Sequence, residues 1–174
     1  LSGRPVVLSH DLTVELRPST HELIGRDQID IELPLRAATV TFSISPTVKI
    51  DRILLKTHPA ASTAAVSDTA VSFTTEQVVH PPEQRVTATL PGAHDGRVTL
   101  VWIYRGTIDD PPKEPRHLRF VTPSETAGHI GPEGVYLSSE SQWYPDIAGS
   151  LSAYRLTALV PQGWSVVTQG RKTE

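Results

Sequence analysis

Apolar and polar side chains alternate with a period of two along several short segments of the chain. The alternation runs through residues 11–17, 28–33 and 39–44, and it returns at 86–90. Successive side chains of a β-strand point to opposite faces of a sheet, so each segment predicts a strand with one buried and one solvated face. Residues 18–22 predict a turn, and the first two strands should therefore form an antiparallel hairpin.

Two segments depart from simple alternation. In residues 49–56 the parity of the apolar positions slips, which predicts a β-bulge or a strand buried on both faces. Residues 98–104 are apolar at both parities, so we expect the central strand of a sheet that is covered on both sides. Because proline cannot donate to a central ladder, Pro46 and the pair Pro91-Gly92 are predicted to end strands.

Loops and turns separate the remaining predicted strands. Residues 59–70 are small and polar, and residues 107–134 are rich in proline, so both predict surface loops. A tight turn is predicted at 161–163. The remaining strands are expected to be short and to lie at 71–73, 118–121, 135–137, 154–160 and 164–168.

The composition agrees with an all-β fold. Val, Ile and Thr supply about a quarter of the 174 residues, and 15 prolines and 11 glycines are spread along the chain. β-Branched residues favour strands, whereas proline and glycine disfavour helices. No segment shows helical periodicity or a repeat. We therefore predict one all-β domain over residues 1–174, a β-sandwich or a related two-sheet fold of about ten or more mostly antiparallel strands, with long loops and little or no helix.

Charge and residue usage exclude several functional classes. The chain has 16 basic and 19 acidic residues and a net charge of −3, which argues against a nucleic-acid-binding domain. It has no cysteine, so disulfides, zinc ribbons, iron–sulfur clusters and thiol nucleophiles are excluded. No run of about 18 apolar residues occurs, so we expect no membrane span. Because the chain begins with Leu1 and lacks methionine, we expect a piece of a longer protein.

No familiar catalytic motif is complete in this sequence. His21-Glu22 matches the start of a His-Glu-x-x-His zinc site, but Gly25 stands where the second histidine is needed. There is no Gly-x-Ser-x-Gly elbow and no phosphate-binding glycine loop. Asp109 and Asp110 are adjacent in a proline-rich loop, where we expect them to be solvated. No two histidines have a usual ligand spacing, so we expect no metal site and mostly exposed histidines at His10, His21, His58, His80, His94, His117 and His129.

The aromatic residues fall into two groups. Phe42, Trp102 and Tyr104 lie on predicted strands and are expected to pack in the core. Trp143 and Tyr144 lie between strands among polar residues, which favours either a lid over one end of the sandwich or part of a docking surface. A free-standing adhesion or carbohydrate-binding sandwich, which would use this pair as a stacking platform, is an alternative function.

Three segments occur in an order that resembles a known family. Residues 10–16 are His-Asp-Leu-Thr-Val-Glu-Leu, and Leu-Ile-Gly follows at 23–25. Residues 134–146 contain Gly-Val-Tyr-Leu-Ser-Ser-Glu and end in Trp-Tyr-Pro-Asp. Residues 154–170 contain Pro-Gln-Gly-Trp and then Gln-Gly. Together they resemble the opening strands, the Thr-Gln-x-Glu and Phe-Pro-x-x-Asp segment, and the closing strands of the gluzincin zinc aminopeptidases, which include alanyl aminopeptidase and leukotriene hydrolase.

The resemblance implies the amino-terminal domain of that family, a saddle-shaped all-β unit. The family's zinc helix and its Gly-Ala-Met-Glu-Asn substrate loop belong to the following domain, so the resemblance implies no cofactor in this chain and zinc in a catalytic domain that is absent here. The implied function is non-catalytic: the domain caps the catalytic domain and walls the side of the cleft that receives the peptide amino end. The implied partners are the downstream catalytic domain and a peptide substrate. A scaffold domain of a degenerate peptidase is a further alternative.

The resemblance also assigns residue roles. The family's glutamate falls on Glu140, which would help to hold the free α-amino group of the substrate. The family's glutamine falls on Ser138, so the resemblance implies a second substrate-binding position at which this sequence departs from the family's residue. Trp143 and Tyr144 are expected to dock against the catalytic domain, within an exposed apolar patch near residues 135–144. A periplasmic, cell-surface or membrane-associated location is favoured over a cytoplasmic one.

Overall fold

The computed structural model describes residues 3–57, 67–111 and 126–172, and most of these residues lie in β-strands. These ranges contain eight strands: β1 (Val6–Arg17), β2 (Glu22–Ile44), β3 (Val48–Thr57), β4 (Ser67–Val78), β5 (Glu83–Thr107), β6 (Gly128–Gly131), β7 (Gly134–Leu137) and β8 (Ala153–Leu159). In the described part of the chain the helical segments are two single 3₁₀ turns, η1 (Pro18–Thr20) and η2 (Ser139–Ser141). No helix within these ranges is long and apolar enough to cross a membrane. The all-β prediction is confirmed.

Six strands form one sheet, in the order β3-β4-β5-β2-β1-β8, while β6 and β7 form a separate two-stranded ribbon. β5 is 25 residues long and pairs with β2 on one side and with β3 and β4 on the other. The pairings are antiparallel except for β1 with β8, which is parallel. The prediction of a mostly antiparallel fold is therefore confirmed.

The alternating segments form the strands that they predict. β1 and β2 make an antiparallel hairpin around η1, which occupies the predicted turn. The predicted bulge lies in β3, where its register against β5 shifts between Ile50 and Arg52. In the second half of β5, Leu100 and Val101 are both buried although their side chains point to opposite faces. The prediction of a strand covered on both sides is confirmed.

Within the described residues, the strands are fewer and longer than predicted. β5 does not end at Pro91-Gly92, because the proline sits in an irregular stretch of the β2–β5 ladder, between the paired positions of Thr89 and His94. A proline is tolerated in such a stretch because no ladder hydrogen bond depends on its nitrogen. The strand expected at 71–73 is likewise the middle of β4, which pairs with both β3 and β5.

The predicted last hairpin strand is wrong. The turn at 161–163 is present, with the Trp164 N–H donating to the Pro161 carbonyl over 3.2 Å. Residues 164–168 are not a strand, and Val166 and Val167 are 48% and 96% exposed. β-Branched residues stabilise a strand only when they pair and pack, and this segment does neither. The strand expected at 118–121 lies outside the described residues.

The core of the domain contains the expected aromatic side chains. Phe42 and Trp102 are buried and meet edge to face, with ring centroids 4.7 Å apart at 67°. Tyr104 is also buried and lies directly over Gly25, where an added Cβ would be 2.3 Å from its Cζ. Gly25 is therefore required by the close approach of the Tyr104 ring to the β2 backbone.

Candidate functional site

The turn η2 carries Ser138 and Glu140 and is fastened to the ribbon of β6 and β7. The Ser138 N–H and hydroxyl both donate to the Ala127 carbonyl, over 3.1 and 2.6 Å. The Ser141 hydroxyl donates to the Ser138 carbonyl over 2.7 Å. Gly128 passes beneath this turn so closely that a Cβ there would lie 2.6 Å from the Ser141 Cβ. The turn is thus held by several short contacts.

Glu140 lies on this turn and is exposed. Its carboxylate forms no hydrogen bond or ion pair with the residues that the structure describes. By contrast, the Ser138 hydroxyl already donates its proton to Ala127. Glu140 can therefore accept hydrogen bonds from a ligand, whereas the contacts of Ser138 position the turn.

Trp143 and Tyr144 follow the turn and are half-buried against the core. Their rings are nearly perpendicular, with centroids 4.9 Å apart at 79°. The two rings therefore do not share one plane. Both residues are partly covered, as a lid would be, and both keep exposed area that a neighbouring domain could cover.

Two grooves meet at Trp143. One, of about 560 Å³, is walled by apolar side chains of β1 and β8 and by Trp164. The other, of about 570 Å³, contains Tyr144, Tyr136 and Ser138. Tyr136 is 56% exposed. Some residues of the apolar patch expected near 135–144 therefore pack on the core, and others are exposed to solvent.

Behind Tyr144 lies a buried histidine that the sequence analysis placed on the surface. His10 is 3% exposed, and its Nδ1–H donates to Oδ2 of the fully buried Asp27 over 2.7 Å. Its Nε2 is 3.8 Å from Oδ1 of Asp146, and its ring meets Tyr144 edge to face at 5.1 Å. The expectation of an exposed His10 is wrong.

The neighbouring carboxylates determine the protonation state of His10. Burial lowers the pKa of His10, but the carboxylates of Asp146 and Asp27 outweigh it and raise this pKa to about 9. Burial raises the pKa of Asp27, and the hydrogen bond from His10 opposes that rise. We assign a charged His10 at neutral pH, because two carboxylates face the same imidazole.

A second cluster brings together residues that are far apart in sequence. His21, Asp109 and His129 place one ligand atom each within 4.8 Å of one another. His129 is 5% exposed and His21 is partly exposed. The expectation of dispersed, exposed histidines is therefore wrong for His129 as well as for His10; His58 and His117 lie outside the described residues.

The overall fold is shared with known metallopeptidase structures. No family model and no curated protein sequence matches the chain. The structure is similar to that of an M1 zinc metallopeptidase from Deinococcus radiodurans, with a TM-score of 0.64 and 16% identity over 100% of this chain and 37% of that one. The chain has the fold of an M1 zinc metallopeptidase domain.

Further structures show the same fold. A mutant of the Deinococcus radiodurans enzyme, bound to a Tyr-Ser-Ala substrate, matches with a TM-score of 0.64 and 16% identity over 98% of this chain and 36% of that chain. Yeast LTA4 hydrolase matches with a TM-score of 0.59 and 14% identity over 90% of this chain and 23% of that one. This chain thus spans about a third or less of the enzymes that it resembles. The similarity is one of fold.

Proposed function

We propose that this chain is the non-catalytic β domain of a zinc aminopeptidase-like metallopeptidase and that it caps a downstream catalytic domain. The observation that carries the proposal is a shared fold over 98% of the chain with an M1 metallopeptidase. The chain itself has no His-Glu-x-x-His motif, because Gly25 stands where the second histidine would be. The catalytic zinc would therefore be held by the downstream domain.

The downstream sequence provides a direct test. An active parent enzyme requires a His-Glu-x-x-His helix, with a further glutamate about 20 residues later, in the region that follows this chain. A downstream domain with broken ligands would instead indicate a scaffold. The absence of any such domain would contradict the peptidase assignment and favour a free-standing binding module.

Within this function, Glu140 holds the free α-amino group of a peptide. Its carboxylate is exposed on a turn that several short hydrogen bonds fix in place. An ammonium group in a partly closed cleft gains a charge-assisted hydrogen bond from such a carboxylate, worth about 1.5–3 kcal/mol. Ser138 supports this role by fastening the turn to Ala127.

The Glu140 role is tested in the full-length enzyme with Glu140→Ala. For substrates with a free amino end, KM should rise about 10- to 150-fold, following 1.4 kcal/mol per tenfold change. For N-acetylated substrates, KM should stay unchanged, because they offer no ammonium group. Glu76→Ala, at an exposed glutamate of β4, is the matched control. An unchanged preference for free amino ends in Glu140→Ala would remove Glu140 from the site.

Trp143 and Tyr144 form part of the surface that docks on the catalytic domain in this proposal. They lie on the same stretch of chain as Glu140, so a domain that covers them would bring its own cleft beside the carboxylate. The two grooves that meet at Trp143 supply concave apolar surface for that contact.

A further inference from the structure

Three separate chain segments converge below η2 and are joined by backbone hydrogen bonds. The Ile108 N–H donates to the His21 carbonyl over 2.9 Å, and the Ile130 N–H donates to the Ile108 carbonyl over 3.0 Å. Asp109 also forms an isolated β-bridge with His129. The backbone therefore fixes the places from which His21, Asp109 and His129 project.

The side chains of these residues face one another. Nδ1 of His129 lies 3.2 Å from Oδ1 of Asp109, and Nδ1 of His21 lies 3.6 Å from the same oxygen. The two imidazole rings are 5.7 Å apart between centroids and tilted by 44°. Two imidazoles and a carboxylate are ligands that one small cation can take together, once the His21 ring turns an unprotonated nitrogen toward the other two.

Glu133 orients the ring of His129 for metal binding. Oε1 of Glu133 accepts a hydrogen bond from Nε2 of His129 over 2.6 Å, which leaves the lone pair on Nδ1. Although Oδ1 of Asp109 lies 3.2 Å away, the buried Nδ1 of His129 forms no hydrogen bond with any of the described residues.

A glycine makes room for this contact. A Cβ on Gly131 would lie 2.3 Å from Nε2 of His129 and 2.7 Å from either carboxylate oxygen of Glu133. The carboxylate–histidine pair therefore depends on the absence of a side chain at this position. A carboxylate that orients the far nitrogen of a histidine toward a metal is the usual outer-shell arrangement of zinc sites.

We propose that His21, Asp109 and His129 form a binding site for a divalent transition metal of the zinc type, with Glu133 orienting His129. Imidazole nitrogens favour Zn²⁺ and its neighbours over Ca²⁺ and Mg²⁺, which prefer all-oxygen ligands. His21 must present an unprotonated nitrogen, and its Nδ1 now donates to the Ile130 carbonyl over 2.6 Å. Its side chain is 35% exposed, so the ring has room to rotate.

A metal here would join the β1–β2 turn, the end of β5 and the ribbon of β6 and β7. The ribbon supports η2, because Ser138 hydrogen-bonds to Ala127 and Ser141 packs on Gly128. Binding would therefore stabilise the platform that carries Glu140. The site is separate from any zinc in a catalytic domain, because all its ligands lie in this chain.

The test uses the 174-residue chain without a polyhistidine tag, titrated with Zn²⁺ by calorimetry and with Co²⁺ by visible ligand-field absorption. We expect one equivalent to bind. Asp109→Asn and His21→Gln change partly exposed residues and should weaken binding at least 100-fold, as loss of a ligand should cost no less than loss of an outer-shell partner. His94→Gln, at a residue that pairs with Ala37 many residues along the β2–β5 ladder from His21, should bind as the wild type does.

A fourth variant tests the orienting role. Glu133→Gln changes a side chain that is 65% exposed, and it should weaken Zn²⁺ binding about 10- to 100-fold without loss of the fold. Circular dichroism verifies folding of every variant. Equal Zn²⁺ affinity in the wild type, Asp109→Asn and Glu133→Gln, or the lack of a one-to-one complex with the wild type, would overturn the proposal.

Discussion

His10 and Asp27 form a buried ion pair between neighbouring strands of the β1–β2 hairpin, with Nδ1 and Oδ2 2.7 Å apart. Both side chains are almost fully buried. Asp146 approaches the other nitrogen of the same imidazole from the segment that follows η2, at 3.8 Å. This network therefore couples the first hairpin to the segment that contains Trp143 and Tyr144.

The ion pair predicts that the stability of the domain falls as the pH rises above neutrality. Although burial lowers the pKa of His10, Asp146 and Asp27 raise it to about 9, above the value near 6.5 expected for the unfolded chain. The folded state therefore binds the extra proton between these values. Its contribution is complete below about pH 6.5 and is lost as the pH passes about 9, and it amounts to at most about 3 kcal/mol.

Urea unfolding between pH 6 and pH 10 measures this effect. The free energy of unfolding should fall more steeply for the wild type than for His10→Gln, which cannot take up the proton. His94→Gln changes an imidazole far from this pair and should follow the wild type. Parallel profiles for the wild type and His10→Gln would show that His10 is not protonated in the folded protein.

Removal of one carboxylate predicts a separate spectroscopic change. In Asp27→Asn, burial continues to lower the pKa of His10 while only Asp146 is left to raise it. The midpoint of the His10 titration should therefore fall well below about 9. NMR of the imidazole Cε1–H resonance measures it. A midpoint that stays at the wild-type value would mean that Asp27 does not hold the proton on His10.

The close approach of Tyr104 to Gly25 predicts that Gly25→Ala destabilises the domain. The added Cβ would lie 2.3 Å from Cζ of a ring that is fully buried, so the ring or the strand must move. Overpacking of this kind costs about 1–3 kcal/mol. Gly134→Ala is the control, because its Cβ meets nothing within 4 Å. Equal urea midpoints for the two variants would contradict this account.

The hairpin and its buried face could be predicted from the sequence. Leu12 and Val14 alternate with polar residues, and this pattern alone places them on the buried face of β1. His10 has the same parity as Leu12 and Val14, so the same pattern predicts that its side chain is buried. Asp27 likewise shares parity with Ile29 on β2. The exposed His10 was predicted from the lack of a ligand spacing among the histidines, and the alternation pattern was the better guide.

The second histidine cluster could not be predicted in this way. Asp109 and His129 meet His21 because of two long-range pairings. The end of β5 pairs with the start of β2, and Ile130 of β6 hydrogen-bonds to the residue that follows β5. Such long-range register depends on loop paths that local periodicity does not encode. Strand ends were also difficult to place, because the ladder continues past Pro91 through an irregularity.

Ser138 is predicted to act by holding η2 in place. Its hydroxyl donates to the Ala127 carbonyl over 2.6 Å, and Ser138→Ala removes this bond at a cost of about 1 kcal/mol. Hydrogen exchange of the ribbon of β6 and β7 should then become faster. Ser139→Ala, at an exposed neighbour in the same turn, should leave the exchange rates unchanged. Equal rates in the two variants would show that the hydroxyl does not fasten the turn.

The proposed docking role predicts that the isolated chain associates weakly with itself through the groove of about 570 Å³ that contains Tyr144 and Tyr136. Tyr136, Tyr154 and Val167 line this groove and are 56%, 48% and 96% exposed, so an unpartnered domain leaves apolar surface in water. Tyr136→Ser should reduce the concentration dependence of the sedimentation coefficient while changing the free energy of unfolding by less than about 0.5 kcal/mol. Val79→Ser, at a 70% exposed residue outside the groove, is the matched control. Association that is absent in the wild type, or that Val79→Ser reduces equally, would contradict a docking surface at this groove.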